Sequence, residues 1–233
     1  QSLVVGDSAD IVLNLTITPG GFLGPYNNIA IAIGYSPLGV SVVDNSQNGT
    51  DVDPDGDNDP TNNNDPTPIT FVENPSIGIS KTIIGTPINN NDGTYTLTYD
   101  IKVQNTGDIR LRSVQVQEVL STTFLNAVGF TVNNVNSSDF TVNLGFNGLG
   151  DTNLLSGIDS LNVNEFGNIT LTVTVRPGAF LGIYENSAVS TGVSPALTMV
   201  SDISDSGTNA TDNPLSGGDN PGEPGDTGGT EDE

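Results

Sequence analysis

The sequence predicts an all-β chain made of antiparallel β-sandwich repeats in tandem, and three observations lead there. Apolar and polar residues alternate with period two through most of its length, and no helical period competes. Turn signals such as Asn91-Asp92-Gly93, Asn105-Thr106-Gly107-Asp108 and Arg176-Pro177-Gly178 punctuate the alternating runs. The chain also repeats itself at a shift of 158 positions: Leu13, Pro19, Phe22, Tyr26, Asn28 and Pro37 fall on Leu171, Pro177, Phe180, Tyr184, Asn186 and Pro195. Asp44, Ser46, Gly49 and Thr50 likewise fall on Asp202, Ser204, Gly207 and Thr208.

Taken in order, the predicted strands are Ile11–Ile17, Tyr26–Ile33, Val40–Val43, Ile77–Ile83, Thr94–Val103, Ser113–Leu120, Asp139–Leu144, Ile169–Val175, Tyr184–Thr191 and Leu197–Val200. In Thr94–Val103 the alternation sets Tyr95, Leu97, Tyr99, Ile101 and Val103 on one face and polar groups on the other. Short strands with half-buried faces at this spacing indicate a sandwich of immunoglobulin-like type. Residues 69–201 read as one complete repeat, and residues 1–43 match only the C-terminal part of such a repeat. Residues 44–68 form an Asp-rich linker with calcium-binding character, and residues 202–233 an acidic Gly/Pro-rich linker. Lacking counterparts of 77–160, the first piece has an uncovered sheet edge, which upstream residues or a neighbouring molecule would complete.

Composition removes whole classes of function. The 233 residues contain no histidine, cysteine or tryptophan, so thiolate and imidazole nucleophiles, bases and soft-metal ligands are missing. Five basic against 28 acidic residues give a net charge of −23, which argues against nucleic acid as a partner. No apolar run is long enough to cross a membrane as a helix. Sugar-binding platforms normally use Trp or Tyr, and the Tyr residues here share faces with core residues. No paired carboxylates lie in a setting that would raise one selectively, so no enzymatic activity is expected. Abundant Asn, Thr, Gly and Asp with few Lys and Glu suggest a secreted protein.

Asp51, Asp53, Asp55, Asp57 and Asp59 recur at every second residue around Gly56, with Asp44 a few residues before. Alternate carboxylates around a glycine turn can converge on one centre, which is how short loops cage calcium in roughly six to eight oxygens. Asp53 to Asp59 is similar to the first half of an EF-hand-like loop, although no glutamate or helix completes that motif. The competing reading is a solvated anionic linker held extended by repulsion. Asp202, Asp205 and Asp212 form a sparser second acidic set.

Alternation through Ile77–Ile83 puts Lys81 on the side of Ile77, Ile79 and Ile83, where an unpaired ammonium is costly. Glu118 shares a face with Val114, Val116 and Leu120 and is the natural partner, with Asn186 in a later strand. A Lys, Glu and Asn trio of this kind self-condenses to an isopeptide in some surface-protein sandwiches; a buried or edge ion pair, or a lysine that snorkels to the rim, is the alternative. Ser8 and Ser160, in Asp-Ser-apolar triplets before equivalent strands, are candidate O-glycosylation acceptors, with ordinary turn serines as the alternative.

Pro75 to Ile83, followed by Thr94 to Leu120, resembles a conserved repeat domain of unknown function found in bacterial surface proteins. The features that carry it are Ser80-Lys81-Thr82, a Tyr-rich strand ending in Asn105-Thr106-Gly107, and the acid Glu118 before Leu120. In that family the acid is more often Asp followed by Leu-Pro, so Val119-Leu120 departs from the pattern. The Asp-rich stretch is similar to junctions in giant repeat adhesins of Bacteroidetes, including gliding adhesins. The resemblance implies a cell-surface filament or stalk of many repeats that bind neighbouring repeats and an unknown surface or glycan. A fibre subunit polymerising with identical copies by strand complementation is the alternative.

Overall fold

A computed structural model describes residues 2–210, in which nearly all regular structure is β and the sheets are predominantly antiparallel. The chain divides into two compact units, residues 1–71 and a second that begins at Val72.

In the first unit, β1 (Tyr26–Asn28) pairs with β4 (Thr67–Ile69), and β2 (Ile31–Tyr35) forms a hairpin with β3 (Ser41–Asn45). The predicted strand Ile11–Ile17 is irregular, and Ile11, Val12, Leu13 and Leu15 are exposed. Its counterpart in the second unit pairs on both sides, whereas among the described residues no strand lies beside Ile11–Ile17 to satisfy a ladder. The Asp-rich stretch is not an open linker: it lies within this compact unit, and Asp65 N–H donates to Gln47 Oε1 at 2.8 Å.

The second unit contains β5 (Ile77–Ile83), β6 (Ile88–Asn89), β7 (Tyr95–Asn105), β8 (Leu111–Glu118), β9 (Gly129–Asn136), β10 (Ser160–Leu161), β11 (Phe166–Arg176), β12 (Ala188–Val193), β13 (Met199–Ile203) and β14 (Asp205–Ser206). One sheet runs β10-β8-β12-β13; the other runs β14-β5-β7-β11-β9, with β6 at the end of β7. Inward residues of both sheets, including Ile77, Ile79, Ile101, Val103, Val114, Val116, Ile169 and Leu171, form one buried cluster. Alternation explains this: in β11 every second residue from Gly167 to Val175 is buried.

Three expectations change. Asp139–Leu144 is irregular, because Ser137 Oγ accepts the Asp139 and Phe140 N–H groups and Asp139 Oδ2 accepts that of Asn168. Strand β12 begins at Ala188 rather than Tyr184. The second unit also continues past residue 201, since β13 and β14 are part of its sheets and Ala210 is buried.

The two hairpins match in detail. Residue pairs Ile31/Asn45 through Tyr35/Ser41 in β2–β3 become Val189/Ile203 through Val193/Met199 in β12–β13, each position displaced by 158. Ser46 Oγ accepts the Ala30 N–H at 2.9 Å, as Ser204 Oγ accepts that of Ala188 at 2.9 Å. Tyr26 and Tyr184 each donate a hydroxyl to the carbonyl four residues back, Phe22 and Phe180.

Candidate functional site

Two side-chain groups stand out, one in each unit. In the first, the alternating aspartates lie on a loop turned by Gly56 and Asn58, both in the left-handed region with φ of 72° and 66°. Carboxylate oxygens of Asp53, Asp55 and Asp57 all lie within 4.8 Å of one another. Asp53 fastens the turn by accepting the N–H groups of Gly56 at 3.2 Å and Asn58 at 3.0 Å. The hydrogen bond between Asp53 and Asp55 is the main influence holding the Asp55 carboxyl below its ordinary range.

The other predicted ligands stand apart from this trio. Asp51 accepts the Asp53 N–H, and Asp59 caps the short 3-10 turn Pro60–Asn62 through Thr61. Asp44 lies in β3 beside a small hollow lined by Ala32, Gly34, Val42, Val43, Pro60 and Thr61, and its buried Oδ1 has no hydrogen-bond partner. Asp202 belongs to the second unit's packing: it is buried in β13, and its Oδ2 accepts the Ile79 N–H of β5 at 2.8 Å. Asp205 lies in β14 opposite Ser80 of β5, and Asp212 lies outside the described residues.

With carboxylates alone, the trio suits a hard cation that takes oxygen ligands and has nothing to offer a soft one. Each of the three aspartates brings one carboxylate oxygen to a common centre, while both oxygens of Asp53 already accept backbone N–H groups.

In the second unit, Lys81 of β5 and Glu118 of β8 form an ion pair that joins the two sheets, with side chains only 3% and 0% exposed. Lys81 Nζ stands 4.5 Å from the centroid of the Tyr99 ring. Burial pushes the ammonium of Lys81 down and the carboxyl of Glu118 up, and each partner's charge opposes the shift. Both directions favour the uncharged amine and acid.

Asn186 enters from the loop before β12. Because Ala188 pairs with Glu118, Asn186 sits just beyond the end of that pairing, where α1 (Leu120–Thr123) begins. Thr123 Oγ1 donates to Asn186 Oδ1 at 2.7 Å. Asn186 also acts on the acidities of both Glu118 and Tyr99, so all three side chains meet. Even so, Asn186 Nδ2 and Glu118 Oε1 are buried without a hydrogen bond of ordinary geometry. The structure brings together Lys81 and Glu118, which the alternation turned inward, and sets Asn186 beside them from a loop rather than from a strand; Tyr99 and Thr123 join the group. Tyr99 was legible only as a core residue, and Thr123 carried no signal in the sequence.

The serines differ between the units. Ser8 is exposed, whereas Ser160 is half-buried in β10 and its Oγ accepts from Arg110 at 2.6 Å. Among the described residues no helix is long and apolar enough to cross a membrane. No protein-family model matches the chain, and no curated protein matches it either. The likeness to bacterial surface repeats therefore rests on its motifs.

Proposed function

We propose that this chain is a structural and adhesive module of a secreted bacterial cell-surface filament or stalk, built from immunoglobulin-like sandwich repeats in tandem. The observation that carries this reading is the repeated hairpin, with the same register and the same supporting serine and tyrosine hydrogen bonds 158 residues apart. Repetition, with no paired acid and base in a cleft among the described residues, suits a spacer or grip better than an enzyme. In this reading Asp53, Asp55 and Asp57 bind calcium, which quenches their repulsion and holds the chain between β3 and β4 in one conformation.

Calorimetric titration of the full chain with calcium tests the metal part. Saturable binding at millimolar or lower calcium is expected, and it should vanish in Asp53→Asn/Asp55→Asn/Asp57→Asn. No heat and no change in hydrogen exchange over residues 51–63 would defeat it.

One observation favours a second reading, a fibre subunit completed by strands from an identical neighbour. Ile31, Ile33, Val42 and Val43 on β2 and β3 are exposed, and Asp44 Oδ1 is buried without a partner where Asp202 holds a β5 N–H. Sedimentation of the isolated chain separates the two, since a subunit forms concentration-dependent polymers and a stalk module stays monomeric.

A further inference from the structure

The second unit is built to close a covalent bond across itself: we propose that Lys81 Nζ condenses with Asn186 Cγ to form an intramolecular isopeptide, with Glu118 relaying the proton. The parts meet from three separate elements. Lys81 comes from β5 in one sheet, Glu118 from β8 in the other, and Asn186 from the loop leading into β12. Glu118 touches the lysine, and its other oxygen, Oε1, is buried and unengaged. Asn186 Nδ2 is buried as well and meets the Glu118 carboxylate without a hydrogen bond of ordinary geometry, while Asn186 Oδ1 is held by Thr123.

Orphaned polar atoms in a core are costly and rare, and two meeting at one point call for an explanation. A static ion pair gives neither atom a well-formed hydrogen bond. The condensation uses both, with Nδ2 as the leaving group and Oε1 as the oxygen that can take a proton and return it.

The atoms balance without any co-reactant. The Lys81 ammonium gives a proton to the Glu118 carboxylate, leaving a neutral amine beside the Asn186 amide. Nζ attacks Cγ and forms the new C–N bond, and negative charge gathers on Oδ1, where the Thr123 hydroxyl already donates. A proton passes from Nζ through Glu118 to Nδ2, the Cγ–Nδ2 bond breaks, and ammonia departs. Lys81 and Asn186 are then joined by a secondary amide and Glu118 is left as the acid. Burial in a water-poor core drives the first transfer, because it favours the uncharged pair. Tyr99 positions the amine, with its ring centroid 4.5 Å from Nζ.

This inference is independent of calcium and of the stalk reading. It is tested by digesting the purified full chain and fragmenting the peptides in a mass spectrometer. Expected is one branched peptide joining the Lys81 and Asn186 segments and lighter than their sum by one ammonia. Intact mass alone is insufficient, since cyclisation of Gln1 or succinimide formation at Asn48-Gly49 and Asn147-Gly148 releases the same ammonia. Asn186→Ala removes the carbonyl, and Glu118→Gln keeps the shape but not the relay; both should yield the separate peptides. Recovery of unbranched peptides from the unaltered chain, with Lys81 free to react with an acylating reagent after unfolding, would overturn the bond. Undiminished branching in Glu118→Gln would overturn the relay.

Discussion

The buried carboxylate of Asp202, on the last long strand of the second unit, accepts the backbone N–H of Ile79 on its first strand at 2.8 Å. That bond stitches β13 to β5 from opposite sheets across 123 residues of chain. Asp44, at the equivalent place in the first unit, has a buried Oδ1 with no partner.

Asp202→Ala should therefore lower stability by about 1–3 kcal/mol, because it strands a buried N–H. Asp44→Ala in the same chain should cost well under ~1 kcal/mol, since no hydrogen bond to Oδ1 is lost. Urea unfolding of the two variants checks the contrast, and equal losses would remove the correspondence between the sites.

Gly107, in the Asn-Thr-Gly turn after β7, is packed against backbone. A Cβ there would meet Asn74 O at 2.7 Å and Pro75 Cα at 2.9 Å, and Ser76 N is closer still. Backbone atoms cannot swing aside, so Gly107→Ala should cost roughly 1–3 kcal/mol or more. At Gly150 nothing lies within 4 Å, and Gly150→Ala should be close to neutral. Thermal melts of the pair provide the comparison.

Burial lifts the Tyr99 phenol from an ordinary 10.0 to about 12. A folded state that keeps this proton while the unfolded state loses it has its contribution fully present below pH 10. That contribution then falls as pH rises from 10 to about 12. Ultraviolet titration of phenolate should show one tyrosine ionising late, and Tyr99→Phe should delete that step. If all five tyrosines titrate together, the pocket around Tyr99 is wetter than described.

Calcium bound only by the folded loop stabilises by mass action, about 2.7 kcal/mol at a hundredfold excess over Kd. The effect should be confined to the unit containing Asp53, Asp55 and Asp57. Hydrogen exchange should slow across residues 51–63 and stay unchanged in β7 and β11.

The legible parts of this molecule were those written locally. Ile77–Ile83 became β5 with the predicted bounds, and Lys81 and Glu118 face inward as the alternation predicts, although Gly78 and Ser80 are buried too and Ile83, expected on the core side, is exposed. The illegible parts depend on distant partners. Gly129–Asn136 is rich in Asn and pairs with a register shift opposite Thr172 and Val173, so β9 was hidden by its own irregularity. Phe140, Val142 and Leu144 alternate like a strand, but serine and aspartate side chains nearby captured the backbone N–H groups. Asp202 looked like another metal ligand because its true partner, Ile79, lies 123 residues away.

Strand β14 runs parallel beside β5, with Asp205 opposite Ser80 and the Gly207 N–H donating to the Lys81 carbonyl at 3.0 Å. Among the described residues, the first and last strands of the second unit are thus neighbours pointing the same way. Tension applied at the two ends of such a unit drags these strands past each other in shear, so their hydrogen bonds are strained together instead of being unzipped one by one. The weakest direction for a pull is the one this topology avoids.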